Sequence, residues 1–182
     1  KGTRCFPRRD QAEQFNLRKL EELPGEPVIY PTNYQGSADK QTELKKNSPL
    51  PEQLVLKKGA WVMFRQNDLE DRWVNGSLGT VMKLSPDKIW VELANGEDVE
   101  VVPVAFTLLD QDDQPVASSK NFPLNLAWAT TIHKSQGATL DRLHVDLRAA
   151  WEHGQAYVAL SRVRHAKNLS LEGYSESSFV VD

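Results

Sequence analysis

Two short apolar blocks carry polar side chains that an ordinary hydrophobic core does not require. The first is Trp128-Ala-Thr-Thr-Ile-His-Lys-Ser-Gln-Gly137, and the second, starting eighteen residues later, is Gln155-Ala-Tyr-Val-Ala-Leu-Ser-Arg-Val-Arg164. In the first, His133, Lys134, Ser135 and Gln136 crowd one helix end before the glycine turn at Gly137. The second has helical spacing, with Tyr157, Leu160 and Val163 beside Ala156 and Ala159 on a buried face, which leaves Ser161, Arg162 and Arg164 at the C-terminal turn. Joined by an expected strand from Leu143 to Leu147, a donor-rich turn and an arginine-tipped helix present cations along one edge of a sheet. That is a surface for phosphates. Taken singly, the same residues have plainer readings. An arginine at a helix C-terminus complements the macrodipole, a glycine there is a cap, and Thr130 and Thr131 before a helix are caps as well.

The elements that position these blocks are legible in part. A strand is expected over Thr3 to Phe6 and a helix over Asp10 to Leu23, with Asp10 as N-cap, Glu13 completing a capping box, and Phe15, Leu20 and Leu23 as the apolar stripe. Pro24-Gly25 stops the helix, and Val28 to Tyr30 reads as a short strand. Pro31 to Pro51 is polar without apolar periodicity and is expected to be a long loop. From Leu54 the period becomes two. Strands are expected at Leu54 to Leu56, Trp61 to Phe64, Thr80 to Leu84, Ile89 to Leu93, Asp98 to Val102 and Ala105 to Leu109, with turn signals at Asn75-Gly76, Pro86-Asp87 and Asn95-Gly96. So many short strands suggest a small, strongly bent sheet or barrel. Pro123 to Leu126 then re-enters a larger sheet, followed by a helix near His133, a strand near Val145, a helix near Tyr157 and a strand at Leu169 to Leu171. Helix and strand alternating on either side of a strand-rich stretch argue for an α/β domain over 1–53 and 119–182, interrupted by a β module over 54–118.

Composition narrows the function classes. The 182 residues are 40% hydrophobic and 26% charged, as in a soluble globular protein, and no apolar run is long enough to span a membrane. The single cysteine, Cys5, excludes an intramolecular disulfide and agrees with a reducing, intracellular setting. The net charge of -3 hides an asymmetry: 121–170 holds six Lys or Arg against three Asp or Glu, together with all four histidines. That third is the part able to meet a polyanion. The histidines lie eleven, nine and twelve residues apart and there is no Cys-x-x-Cys, so no zinc site is read. No Gly-x-Ser-x-Gly elbow occurs either.

The residues resemble the C-terminal half of Pif-type superfamily-one DNA helicases, which are related to the RecD type. Carrying the resemblance are Thr3-Arg4 with Asn16, Leu20-Glu-Glu-Leu-Pro-Gly-Glu26, Gly59-Ala-Trp-Val-Met63 with Asn67, and Val74-Asn-Gly-Ser-Leu-Gly79. Pro123-Leu-Asn-Leu-Ala-Trp-Ala129, Ile132-His-Lys-Ser-Gln-Gly-Ala-Thr-Leu140 and Gly154-Gln-Ala-Tyr-Val-Ala-Leu-Ser-Arg-Val-Arg164 follow in family order. The resemblance implies that the α/β part is the second of two RecA-like motor domains and the β module an SH3-like barrel. It implies ATP held between two such domains with Mg2+, single-stranded DNA threaded across both, 5'-to-3' movement, and a place in DNA replication, repair and recombination. A bacterial protein of this kind is cytoplasmic; a eukaryotic one is nuclear or mitochondrial.

Residue by residue, the resemblance implies that Arg162 is an arginine finger reaching the γ-phosphate. Gln136 and Gly137 line the nucleotide edge and Arg4 lies near the nucleotide. His133, Lys134 and Ser135, with Thr131, face the DNA backbone, where such contacts position a strand without reading its sequence. The chain departs from the family at Pro7-Arg8, where relatives have Thr-His or a similar pair. Among the five tryptophans, Trp128 beside the first block is the one candidate for base stacking.

A P-loop needs Gly-Lys-Ser/Thr, because backbone amides and the lysine hold the phosphates while the hydroxyl holds Mg2+. None of the ten glycines here is followed by lysine. The chain is therefore expected to rely on a first motor domain that it does not contain, which would bind most of the ATP and Mg2+. A different class stays open beside the enzyme: a non-catalytic module, derived from a helicase, that binds single strands or docks a partner.

Overall fold

The structure is a computed structural model that describes residues 3–6, 8–131, 143–146, 155–163 and 165–174. Contacts divide the chain into two units: 1–22, 75–77 and 126–182 form one, and 23–74 with 78–125 the other. The architecture is mixed α/β. None of the described helices is long and apolar enough to cross a membrane.

The first unit is built on a parallel sheet. Its strands are β1 (Thr3–Phe6), β12 (Ala129–Thr131), β13 (Leu143–Asp146) and β14 (Leu169–Gly173), in the order β12-β1-β13-β14. Cys5 lies between Thr130 on one side and Val145 on the other, and Cys5, Ala129 and Val145 are almost wholly buried. Helix α1 (Arg9–Glu21) buries Ala12, Asn16 and Leu20, one turn apart along a single face. That stripe differs from the expected one: Phe15 is half-buried, and the middle position of the true stripe is polar. The cap differs as well. Arg8, not Asp10, occupies the N-cap position and makes no side-chain cap bond. Asp10 lies in the first turn, 3.3 Å from Arg8, and Glu13 accepts from Arg9 at 2.6 Å. The acids thus complement the helix dipole and an i,i+4 pair rather than closing a box.

The second unit holds β2 (Val28–Pro31), β3 (Asn33–Gly36), α2 (Ala38–Asn47), β4 (Gln53–Leu56), β5 (Trp61–Phe64), β6 (Leu78–Leu84), β7 (Ile89–Leu93), β8 (Asp98–Val101), β9 (Val104–Leu109), β10 (Pro115–Asn121) and β11 (Leu124–Leu126). A five-stranded sheet runs β11-β5-β6-β7-β8, a three-stranded one β3-β10-β9, and β2 pairs with β4. Val62, Phe64, Val81, Ile89, Val91 and Val101 form the fully buried core of the larger sheet. Asn95-Gly96 closes the β7–β8 hairpin as expected, with Gly96 at φ 92 and the Leu93 amide bonded to Glu97 O at 2.7 Å. Asn75-Gly76 closes no such hairpin, because β5 ends at Phe64, well before it.

Two further expectations fail. Residues 31–51 are not a structureless loop but contain β3 and α2, and α2 buries a single side chain, Leu44. One anchor leaves no periodic signal to read. Pro123 to Leu126 was expected in the larger α/β sheet, whereas β11 joins the antiparallel sheet beside β5. Strands β2 and β3 also pair with β4 and β10, so hydrogen-bonded sheets connect residues on both sides of position 53.

The link from β5 to β6 is locked by one carboxylate. Asp68 accepts from the Glu70 and Arg72 amides and from Arg72 Nε and Nη2, at 2.6–3.2 Å. Arg72 in turn stacks 4.7 Å over Trp73, which is buried against Phe64. The side-chain hydrogen bond from Arg72 is the largest influence holding the Asp68 carboxyl at about 2, well below an ordinary aspartate. A depressed folded-state pKa stabilises above the unfolded value and is lost as pH falls through the folded one. This loop is therefore expected to loosen in wild type between about pH 4 and about pH 2, and Asp68→Asn to show that looseness already at pH 7; amide exchange at Glu70 and Arg72 reads both. At Gly79 a Cβ would lie 2.4 Å from Val91 Cγ1 and 2.8 Å from Glu92 O. Gly79→Ala is accordingly expected to lower stability by about 1–3 kcal/mol, measured by denaturant unfolding.

Candidate functional site

The described part of the site lies on the parallel sheet and around α3 (Gln155–Leu160). The stretch leading into β12 is tied back to β1 at consecutive residues. Thr3 Oγ1 donates to Ala127 O at 2.9 Å, and the Arg4 amide donates to Trp128 O at 2.8 Å. On the far side Asn16 grips Ala129, its Nδ2 donating to the carbonyl and its Oδ1 accepting from the amide, both at 2.8 Å. These contacts deliver Thr130 and Thr131 at the end of the strand, and both are buried. The remaining residues of the first block, Ile132, His133, Lys134, Ser135, Gln136 and Gly137, lie outside the described residues.

Arg4 sits mid-strand on β1. Its guanidinium is 5.2 Å from the centre of the Phe15 ring, over which Arg18 also lies at 5.7 Å. Its Nη2 is 3.7 Å from Glu172 Oε2, and the same oxygen is 2.9 Å from His144 Nε2. Parallel registry puts Arg4 opposite His144 and His144 opposite Ser170, and Glu172 lies at the register shift of β14, between Leu171 and Gly173. The charge of Arg4 is thus partly met inside the sheet.

Arg162 follows the last turn of α3. Its Nε donates to Val158 O at 3.1 Å and its Nη2 to Ser161 Oγ at 2.9 Å, while Ser161 Oγ donates to Val158 O at 3.0 Å. The side chain is half-buried, and among the described residues no acid pairs with it. A half-buried guanidinium without a carboxylate favours an anion from elsewhere. Tyr157 departs from expectation. It is 72% exposed, whereas Ala156 beside it is buried.

Of the tryptophans, Trp61 and Trp73 are buried, Trp90 is half-buried under Lys83 at 4.6 Å, and Trp128 is half-buried; Trp151 lies outside the described residues. Among the described residues there is no group of three or more His, Cys, Asp or Glu that could hold a metal ion. The sequence reading assigned Asn16 no task. Its signal was present nonetheless, as a carboxamide between Ala12 and Leu20 on a helical stripe whose neighbours are apolar.

A four-stranded parallel sheet with α1 packed on β1 and β12 defines an α/β protein. No protein-family model matches the chain. It is 51% identical over 181 residues to the ATP-dependent DNA helicase Pif1 of Bdellovibrio bacteriovorus, covering 100% of this chain and 41% of that protein. The Bacteroides Pif1 structure in complex with ADP-AlF4 superposes with a TM-score of 0.85 at 28% identity, over 100% of this chain and 42% of that one. Bacteroides Pif1 bound to ssDNA gives a TM-score of 0.76 at 27% identity, over 100% of this chain and 43% of that one. Over its whole length the chain matches part of these Pif1 helicases, and it spans somewhat under half the length of these relatives.

The Arg4–Glu172 contact is half exposed, and such pairs contribute about 0–1 kcal/mol. Glu172→Gln is therefore expected to shift unfolding by less than about 1 kcal/mol; a larger loss in denaturant melts would show that the Glu172 contacts hold the sheet together.

Proposed function

We propose that this chain is the C-terminal motor half of an ATP-dependent, 5'-to-3' DNA helicase, an intracellular protein whose activity needs a partner RecA-like domain. In this reading the parallel sheet is the second RecA-like domain and the antiparallel strands of 54–118 are an SH3-like module. The observation that carries the proposal is Arg162, half-buried at the end of α3 with no acid opposite it among the described residues. Across a closed cleft its planar cation reaches the γ-phosphate and stabilises the charge that develops during transfer.

Gln136 and Gly137 line the nucleotide edge, with Arg4 nearby. Thr131, His133, Lys134 and Ser135 hold the phosphates of a single strand, and Mg2+ is bound mainly by the partner domain. That domain also supplies the P-loop, since no Gly-Lys pair occurs in this sequence. ADP-AlF4 and ssDNA in the Bacteroides relatives support nucleotide and single-strand ligands for this chain too.

One observation favours the non-catalytic alternative. Arg162 Nε already serves Val158 O, as a plain C-terminal helix arginine would. Mutation separates the two. In the full-length protein Arg162→Ala is expected to lower DNA-stimulated hydrolysis by about a thousandfold or more while strand affinity changes by less than about threefold. Normal turnover in that variant would remove the arginine finger. The 182-residue chain alone is expected to hydrolyse no ATP, and DNA-stimulated turnover of about 1 per second would overturn the need for a partner domain.

A further inference from the structure

Among the described residues β12 is the edge of its sheet, with β1 on one side only. Because the Arg4 amide donates to Trp128 O, the backbone groups of Trp128 face β1, and those of Ala129, one residue on, face the open edge. Ala129 is 2% exposed, and buried peptide groups left unpaired are costly. One side chain meets both. The Asn16 carboxamide, itself buried, accepts from the Ala129 amide and donates to its carbonyl at 2.8 Å each. A carboxamide has the donor and acceptor of a peptide group, so Asn16 acts as a one-residue surrogate strand. Apolar packing is non-directional, whereas this pair of bonds fits a single residue of β12. A one-residue slip would turn Thr131 to the other face.

We propose that Asn16 is a positioning residue for strand-stimulated hydrolysis: it fixes the register of β12 and so the placement of Thr131, buried at the strand's end where the block read as facing the nucleic acid begins. The inference rests on the function proposed above. In the full-length protein Asn16→Asp is expected to raise the single-stranded DNA concentration for half-maximal stimulation about tenfold or more, with the KM for ATP within about twofold. An ionised carboxyl cannot donate to Ala129 O, but a protonated one can. Relative to wild type at the same pH, the defect should therefore shrink as pH falls from about 8 to about 6, the range of a buried acid facing a carbonyl. Leu20→Val, on the same buried face, is the packing control and should show neither the DNA shift nor the pH recovery.

If both variants respond alike, or if Asn16→Asp alters thermal stability alone, the positioning role is refuted. Should Asn16→Asp not fold, Asn16→Ser removes the carboxamide without adding charge, and the tenfold DNA shift is read there. A wild-type protein without strand-stimulated hydrolysis would sink the function and leave the pin to be judged by amide exchange at Ala129. Exchange at least about tenfold faster than wild type in Asn16→Asp, recovering at low pH, upholds the pin; unchanged exchange overturns it.

Discussion

The pairing of β1 with two strands from the far end of the chain is the constraint on which the first unit depends. Thr3 bonds to a carbonyl 124 residues later, and β1 is parallel to both β12 and β13. Parallel neighbours cannot be joined by a tight turn, so each pairing needs a crossover. Between β1 and β12 that crossover contains α1 and the whole second unit. Loop-closure entropy grows only slowly with length, which is why so long an excursion between adjacent strands is tolerable. Its closure must still be secured, and the consecutive bonds from Thr3 and Arg4 to Ala127 and Trp128 do this on one side of the returning chain, with Asn16 on the other.

Buried carboxamides recur where the backbone needs a partner that no strand provides. In the first unit Asn16 serves Ala129. In the second, Asn121 at the end of β10 donates to Tyr30 O at 3.0 Å and Thr32 Oγ1 at 2.8 Å, and accepts from the Phe122 amide at 2.7 Å. Thr32 itself bonds to Pro51 O. Each network satisfies polar groups that burial would otherwise leave unpaired, and each fixes a strand end more tightly than apolar contact could. Charge is handled differently, with Arg4 partly neutralised by Glu172 and Arg162 facing no acid among the described residues.

Much of the architecture was legible because it follows local rules. Alternation and turn chemistry located β4 to β9 within a residue or two, since period two and the Ser85–Lys88 and Asn95-Gly96 turns are short-range signals. Legibility failed where burial was sparse or polar. Helix α2 hides behind one buried leucine, and the stripe of α1 is interrupted by Asn16, so Phe15 looked like the better core residue. Tyr157 was misread because helical spacing says which residues share a face, not which face is covered.

What the sequence by itself determined was the likeness to Pif1 helicases and the ordered polar blocks that carry it, because side-chain chemistry at fixed spacing is written locally. It also determined that 121–170 carries the cationic excess. Only the tertiary structure decided the strand order β12-β1-β13-β14, the admission of β11 to the antiparallel sheet, and the union of Arg4, His144 and Glu172. Those residues stand 140 and 28 positions apart. Their meeting depends on parallel register between strands, a property of the folded sheet that no single stretch of chain contains.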